Sequence, residues 1–107
     1  MRAKSSVGDI DAGSGEGADA VKATIRKYGG QVQYCYETQL KTDASLSGRL
    51  AVEMDITNGR VSSVSISENA TRSKALEDCV LRKIRAWRFP ENVSVEGVFL
   101  PYILSHD

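Results

Sequence analysis

The chain has 107 residues, with 14 Lys and Arg against 14 Asp and Glu, one His, two Cys and one Trp. That length fits one compact domain, and 41% hydrophobic with 26% charged residues is the balance of a soluble globular chain, not a disordered one. Zero formal net charge argues against a nucleic-acid or membrane-surface footprint, and no run approaches a membrane span or the apolar core of a signal peptide.

Residues 1–18 carry Gly8, Gly13, Gly15 and Gly17 among Ser, Asp and Glu, with only Val7 and Ile10 able to bury a side chain. Such a segment cannot offset its ordering entropy, so residues 1–18 read as a flexible linker and residues 19–107 as the folded domain. A linker in that place suggests a preceding part of a longer protein. From Asp19 the pattern turns helical: Val21, Ile25, Tyr28, Val32, Cys35, Tyr36 and Leu40 form one apolar stripe. Gly29-Gly30 in mid-pattern predicts a bend or break there, or a close backbone approach.

Leu50, Val52, Met54 and Ile56 alternate with Ala51, Glu53 and Asp55, the period of a half-buried strand. Asn58-Gly59 favours a tight hairpin turn, and Val61, Val64 and Ile66 supply the return strand. Pairing Ile56 with Val61 leaves Val64 and Ile66 on the wrong face unless a bulge near Ser62-Ser63 inserts one residue. A three-residue loop is the alternative, but it turns Val61 outward.

Ser73 to Phe89 reads as a second helix, capped by Ser73, with Leu76, Cys79, Val80, Ile84 and Trp87 on one face. Trp87 is expected to anchor the core near Ile84 and Phe89. Arg82, Lys83, Arg85 and Arg88 crowd its end, which complements the helix dipole better than it suggests a phosphate site. Pro90 stops the helix, and Val93 to Leu104 forms a last strand interrupted by Gly97 and Pro101. The order αββαβ predicts an α+β layer: a three-stranded antiparallel sheet in spatial order 2-1-3 with two helices on one face.

Catalytic chemistry finds few candidates. His106 is the only histidine and lies one residue from the end. No Ser/His/Asp set, metal-ligand spacing or glycine-rich phosphate loop can be assembled, so no enzyme activity, cofactor, metal or small-molecule substrate is expected. Cys35 and Cys79 lie on the apolar stripes of helices covering the same sheet face, where a disulfide can form. Two buried free thiols and a redox pair are the alternatives, though nothing resembles Cys-x-x-Cys. A disulfide implies an oxidising compartment.

Gly48-Arg49-Leu50-Ala51-Val52, Asn58-Gly59-Arg60-Val61 and Ala86-Trp87-Arg88-Phe89-Pro90 resemble the C-terminal domain of TonB-type energy transducers. Tyr34-Cys35-Tyr36-Glu37 together with Cys79 is similar to the AgmX/PglI C-terminal domain type, associated with gliding motility in myxobacteria. The match covers roughly residues 20–104. The hairpin turn is a residue shorter than the Asp-x-Asp-Gly form common in TonB. The resemblance implies a periplasmic domain of a longer protein anchored in the inner membrane, which contacts an outer-membrane or envelope partner and transmits force. No anchor or Pro-rich spanning region is present in these 107 residues.

The last strand is the expected partner site: Val98, Phe99, Leu100, Pro101, Tyr102, Ile103 and Leu104. The 2-1-3 order leaves it one free edge, Pro101 marks an edge because it lacks an N–H, and the corresponding strand in TonB receives a receptor peptide. The leading function is therefore a non-enzymatic adaptor that takes an envelope peptide by strand addition. A purely structural docking or dimerisation domain, and a thiol-active periplasmic factor, are the competing readings.

Overall fold

The computed structural model describes residues 3–13 and 16–106; residues 1, 2, 14, 15 and 107 lie outside that description. In chain order the elements are β1 (Ala3–Val7), α1 (Glu16–Lys27), α2 (Gly29–Leu40), β2 (Gly48–Thr57), β3 (Arg60–Asn69), α3 (Lys74–Arg85) and β4 (Val95–His106). The four strands form one antiparallel sheet in the order β1-β4-β2-β3. Leu50, Val52, Met54 and Ile56 of β2 and Val98, Leu100, Tyr102 and Leu104 of β4 join the helices' apolar side chains in one core. Glu53 and Thr57 on the opposite face of β2 are exposed.

The class is α+β, as the alternating and helical periods indicate, but the sheet has four strands, not three. The three expected strands appear as β3-β2-β4, and β1 extends the sheet beyond β4. Residues 3–13 of the expected linker are thus part of the fold, and its residues 16–18 form the start of α1. Strand pairing is a backbone interaction and needs little apolar side chain, which is what the composition argument overlooked. Ile10 and Ala12 also enter the core, at 7% and 2% exposure. Residues 1, 2, 14 and 15 of that linker lie outside the described residues.

The first helix breaks where the glycine pair predicts. Tyr28, at φ −92° and ψ 6°, separates α1 from α2. The hairpin register carries the expected bulge: Ile56 pairs with Val61, Met54 with Val64 and Val52 with Ile66, with a shift between Asp55 and Ile56. A second shift lies between Ala51 and Val52. Asn58 and Gly59 take φ of 50° and 79°, the positive values a two-residue turn requires.

Ser73 Oγ accepts the Leu76 N–H at 3.1 Å and caps α3. That helix ends at Arg85 rather than running on to Phe89. The next residues are drawn across the hairpin: the Phe89 N–H donates to Gly59 O at 2.8 Å, and Gly59 N–H donates to Val93 O at 2.8 Å. Trp87, 1% exposed, belongs to the same buried core as Ile84 and Phe89. Its ring stacks on Tyr28 at 5.0 Å and its Nε1 donates to Gln31 Oε1 at 2.8 Å, so the break between α1 and α2 is seated on the end of α3.

Candidate functional site

Cys35 of α2 and Cys79 of α3 form a disulfide, with Cα atoms 5.8 Å apart. It joins α2, which packs against β1, to α3, which packs against β3, and closes a loop of 44 residues. Among the described residues no helix is long and apolar enough to cross a membrane, and no cluster of His, Cys, Asp and Glu is placed to hold a metal ion. The basic end of α3 behaves as a helix terminus. Arg88 Nη1 donates to the Ala86 and Trp87 carbonyls at 3.4 and 3.2 Å, and Lys83 Nζ lies 5.4 Å from the Tyr34 ring centre.

β4 is the strand singled out as a partner site, and its two faces and two edges have different occupants. Val98, Leu100, Tyr102 and Leu104 are at most 2% exposed and belong to the core. Only Phe99, Pro101 and Ile103 lie on the open sheet face, with Ile103 45% exposed and Pro101 buried. The seven residues therefore do not form a row of vacant side-chain pockets. What they can offer a partner is backbone.

That backbone edge is covered by the chain's own N-terminal segment. β1 pairs Ala3 with His106, Ser5 with Leu104 and Val7 with Tyr102. Gly8 N–H then donates to Pro101 O at 2.8 Å, and Asp11 exchanges two hydrogen bonds with Phe99, at 3.0 and 2.8 Å. In a strand the N–H and C=O of one residue turn to the same side, so the odd-numbered residues of β4 face β1. The missing N–H of Pro101 falls on this side. The ladder skips there, between Gly8 and Asp11. Pro101 marks the outer side of β4 as expected, but β4 is an interior strand.

β1 is held on its far side as well. The Gln33 side chain of α2 accepts from Ser5 N at 2.7 Å and Ser5 Oγ at 2.8 Å, and donates to Ala3 O at 2.9 Å. Its amide thus stands where the next strand's peptide would be. Gln33 Nε2 also lies 3.1 Å from Glu37 Oε2. Neither Gln33 nor β1 was identified from sequence; the alternation of Ala3, Ser5 and Val7 with Lys4 and Ser6 was the only signal.

At the other end of β4, Asp55 fixes the strand's entry. Its carboxylate accepts from Gly97 N at 2.8 Å and Ser63 Oγ at 2.9 Å, across the register shift between β2 and β4. The Gly97 N–H, then the Ser63 hydroxyl, hold the Asp55 carboxyl below its ordinary pKa. No protein-family model, no curated protein and no solved structure matches the chain.

Proposed function

We propose that this chain is a non-enzymatic adaptor domain of the TonB C-terminal type. It acts in the periplasm as part of an inner-membrane-anchored energy-transducing or gliding-motility protein. It takes an extended segment of an outer-membrane or envelope partner onto β4 and transmits force through it. The observation that carries this reading is that the outer edge of β4 already bears a short, polar strand, Ala3–Val7, held by ladder pairing and one glutamine. Backbone pairing of that kind is indifferent to side-chain sequence, so an incoming strand can use the same groups. The partner strand replaces β1. The Cys35–Cys79 disulfide supports an oxidising compartment and braces α2 against α3.

A covered edge also favours the competing reading, a structural docking domain whose β4 never opens. The experiment separates the two. Envelope proteins captured on the oxidised domain provide the partner, and amide hydrogen exchange is followed with and without it. Strand addition predicts loss of protection at residues 3–7, retained protection at Phe99, Ile103 and Ser105, and tighter binding by Gln33→Ala. Unchanged exchange along β1 and β4, with new protection on the helices, rejects strand addition.

A further inference from the structure

β1 makes the ladder bonds of a strand on β4 but leaves the space behind it unfilled. Ser5 Oγ reaches Gln33 of α2 at 2.8 Å, so the odd-numbered side chains of β1 point towards α2. Ala3 and Val7 flank Ser5 on that face, and both are half-buried against the core. Each lines an open cleft between β1 and the helices. The cleft at Ala3 measures about 480 Å³ and is walled by Leu40, the 58%-exposed Tyr34 and the opposite charges of Glu37 and Lys41. The cleft at Val7 measures about 290 Å³ and is walled by Ile25, Gly29, Gly30 and Tyr102, with Arg26 its one charged residue.

The fold itself does not require the glycine pair. Gly29 and Gly30 belong to α2, without the positive φ that calls for glycine. A Cβ built on either would meet nothing within 4 Å, so no close approach demands them. Alanine favours a helix more than glycine does. What their missing side chains provide is room in the cleft beside Val7.

We infer that β1 is an undersized placeholder, and that the partner segment carries large apolar residues where β1 has Ala3 and Val7. Its pattern is apolar–x–small–x–apolar in an extended segment antiparallel to β4. The middle residue is small because Gln33 closes the face at Ser5. This inference rests on strand addition at β4 and adds what selects the strand. Backbone bonds are the same for β1 and for the partner, so side-chain burial in the two clefts decides which of them stays.

The test uses the oxidised chain and three capped peptides of residues 1–8. One has the native sequence, and one carries Ala3→Leu and Val7→Phe. The third carries Lys4→Leu and Ser6→Phe, equally apolar but on the opposite face. Binding is read from the amide shifts of Phe99, Ile103 and Ser105 and from lost exchange protection at residues 3–7 of the chain. The Ala3→Leu, Val7→Phe peptide is expected to bind at least about tenfold more tightly than the other two. A chain with Gly29→Leu and Gly30→Leu should melt no lower than the parent, yet bind that peptide about tenfold more weakly. Placing Ala3→Leu and Val7→Phe in the chain itself should slow amide exchange at Lys4 and Ser6 about tenfold, a readout that needs no strand exchange. Equal affinity of the three peptides overturns the inference and leaves strand addition standing. Unchanged exchange in the chain variant, with the peptides still binding, does the same. If no peptide displaces β1 even at several millimolar, the order of a tethered strand's effective concentration, strand addition fails and the inference falls with it.

Discussion

Gly59 carries more of this fold than its place in a hairpin turn requires. Its φ of 79° already disfavours any side chain, and a Cβ there would stand 2.5 Å from Phe89 O and 2.7 Å from Pro90 O. Both neighbours are backbone and cannot swing aside. Gly59→Ala is expected to destabilise the domain by about 2–4 kcal/mol, combining positive-φ strain with overpacking; urea unfolding checks it. The turn itself was legible in Asn58-Gly59. The packing of residues 89–90 against it was not, because that contact joins the hairpin to the exit of α3 and leaves no local pattern. Asp55 was likewise invisible as a clamp, since its partner Gly97 is distant in sequence. Its folded carboxyl has a pKa below its ordinary value of 3.8, so its contribution is complete above that value and is lost as pH falls below it toward the folded pKa. Acid unfolding followed by circular dichroism should show a shallower decline over that range in Asp55→Asn than in the parent.

Elements with side-chain periodicity were readable, and elements held by backbone alone were not. β2 and β3 alternate strictly enough that the bulge beside Ser62 followed from parity, and the register has it there. α3 announced its start through Ser73, but its end was overrun, because Trp87 and Phe89 continue a helical spacing while their backbone already serves the hairpin. β1 carried only a faint signal: Ala3, Ser5 and Val7 alternate with Lys4 and Ser6 but are only half-buried, and its outer edge depends on a glutamine 28 residues away. The cysteines were the strongest inter-element clue, since both fall on apolar stripes of neighbouring helices. Chain-entropy arithmetic for their 44-residue loop gives at most about 4 kcal/mol of stabilisation. Denaturant midpoints of the oxidised and reduced protein should differ accordingly. Equal midpoints would mean that the helices hold together without the bond.

At the scale of the whole molecule, the sheet ends in β3 on one side and in β1 on the other, and the edge of β4 that β1 covers is protected differently from that of β3. β3 is ten residues long, but two register shifts interrupt it, and such bulges discourage a second strand from docking along it. β4 has no such protection of its own beyond Pro101. Its N–H and C=O groups at Phe99, Ile103 and Ser105 would form an unpaired edge beside the exposed Ile103 if residues 3–11 were absent. Removing residues 1–12 is therefore expected to leave the Cys35–Cys79 core folded and to convert the domain into a concentration-dependent dimer paired β4 to β4. The loss of Ile10 and Ala12 from the core lowers stability, so the truncated chain is first checked for a cooperative melt. Sedimentation velocity across a dilution series then reads the association, and a synthetic peptide of residues 1–12 should reverse it by reoccupying the edge. A truncated domain that melts cooperatively yet stays monomeric at every concentration would show that Pro101 alone is enough to keep the edge of β4 from pairing.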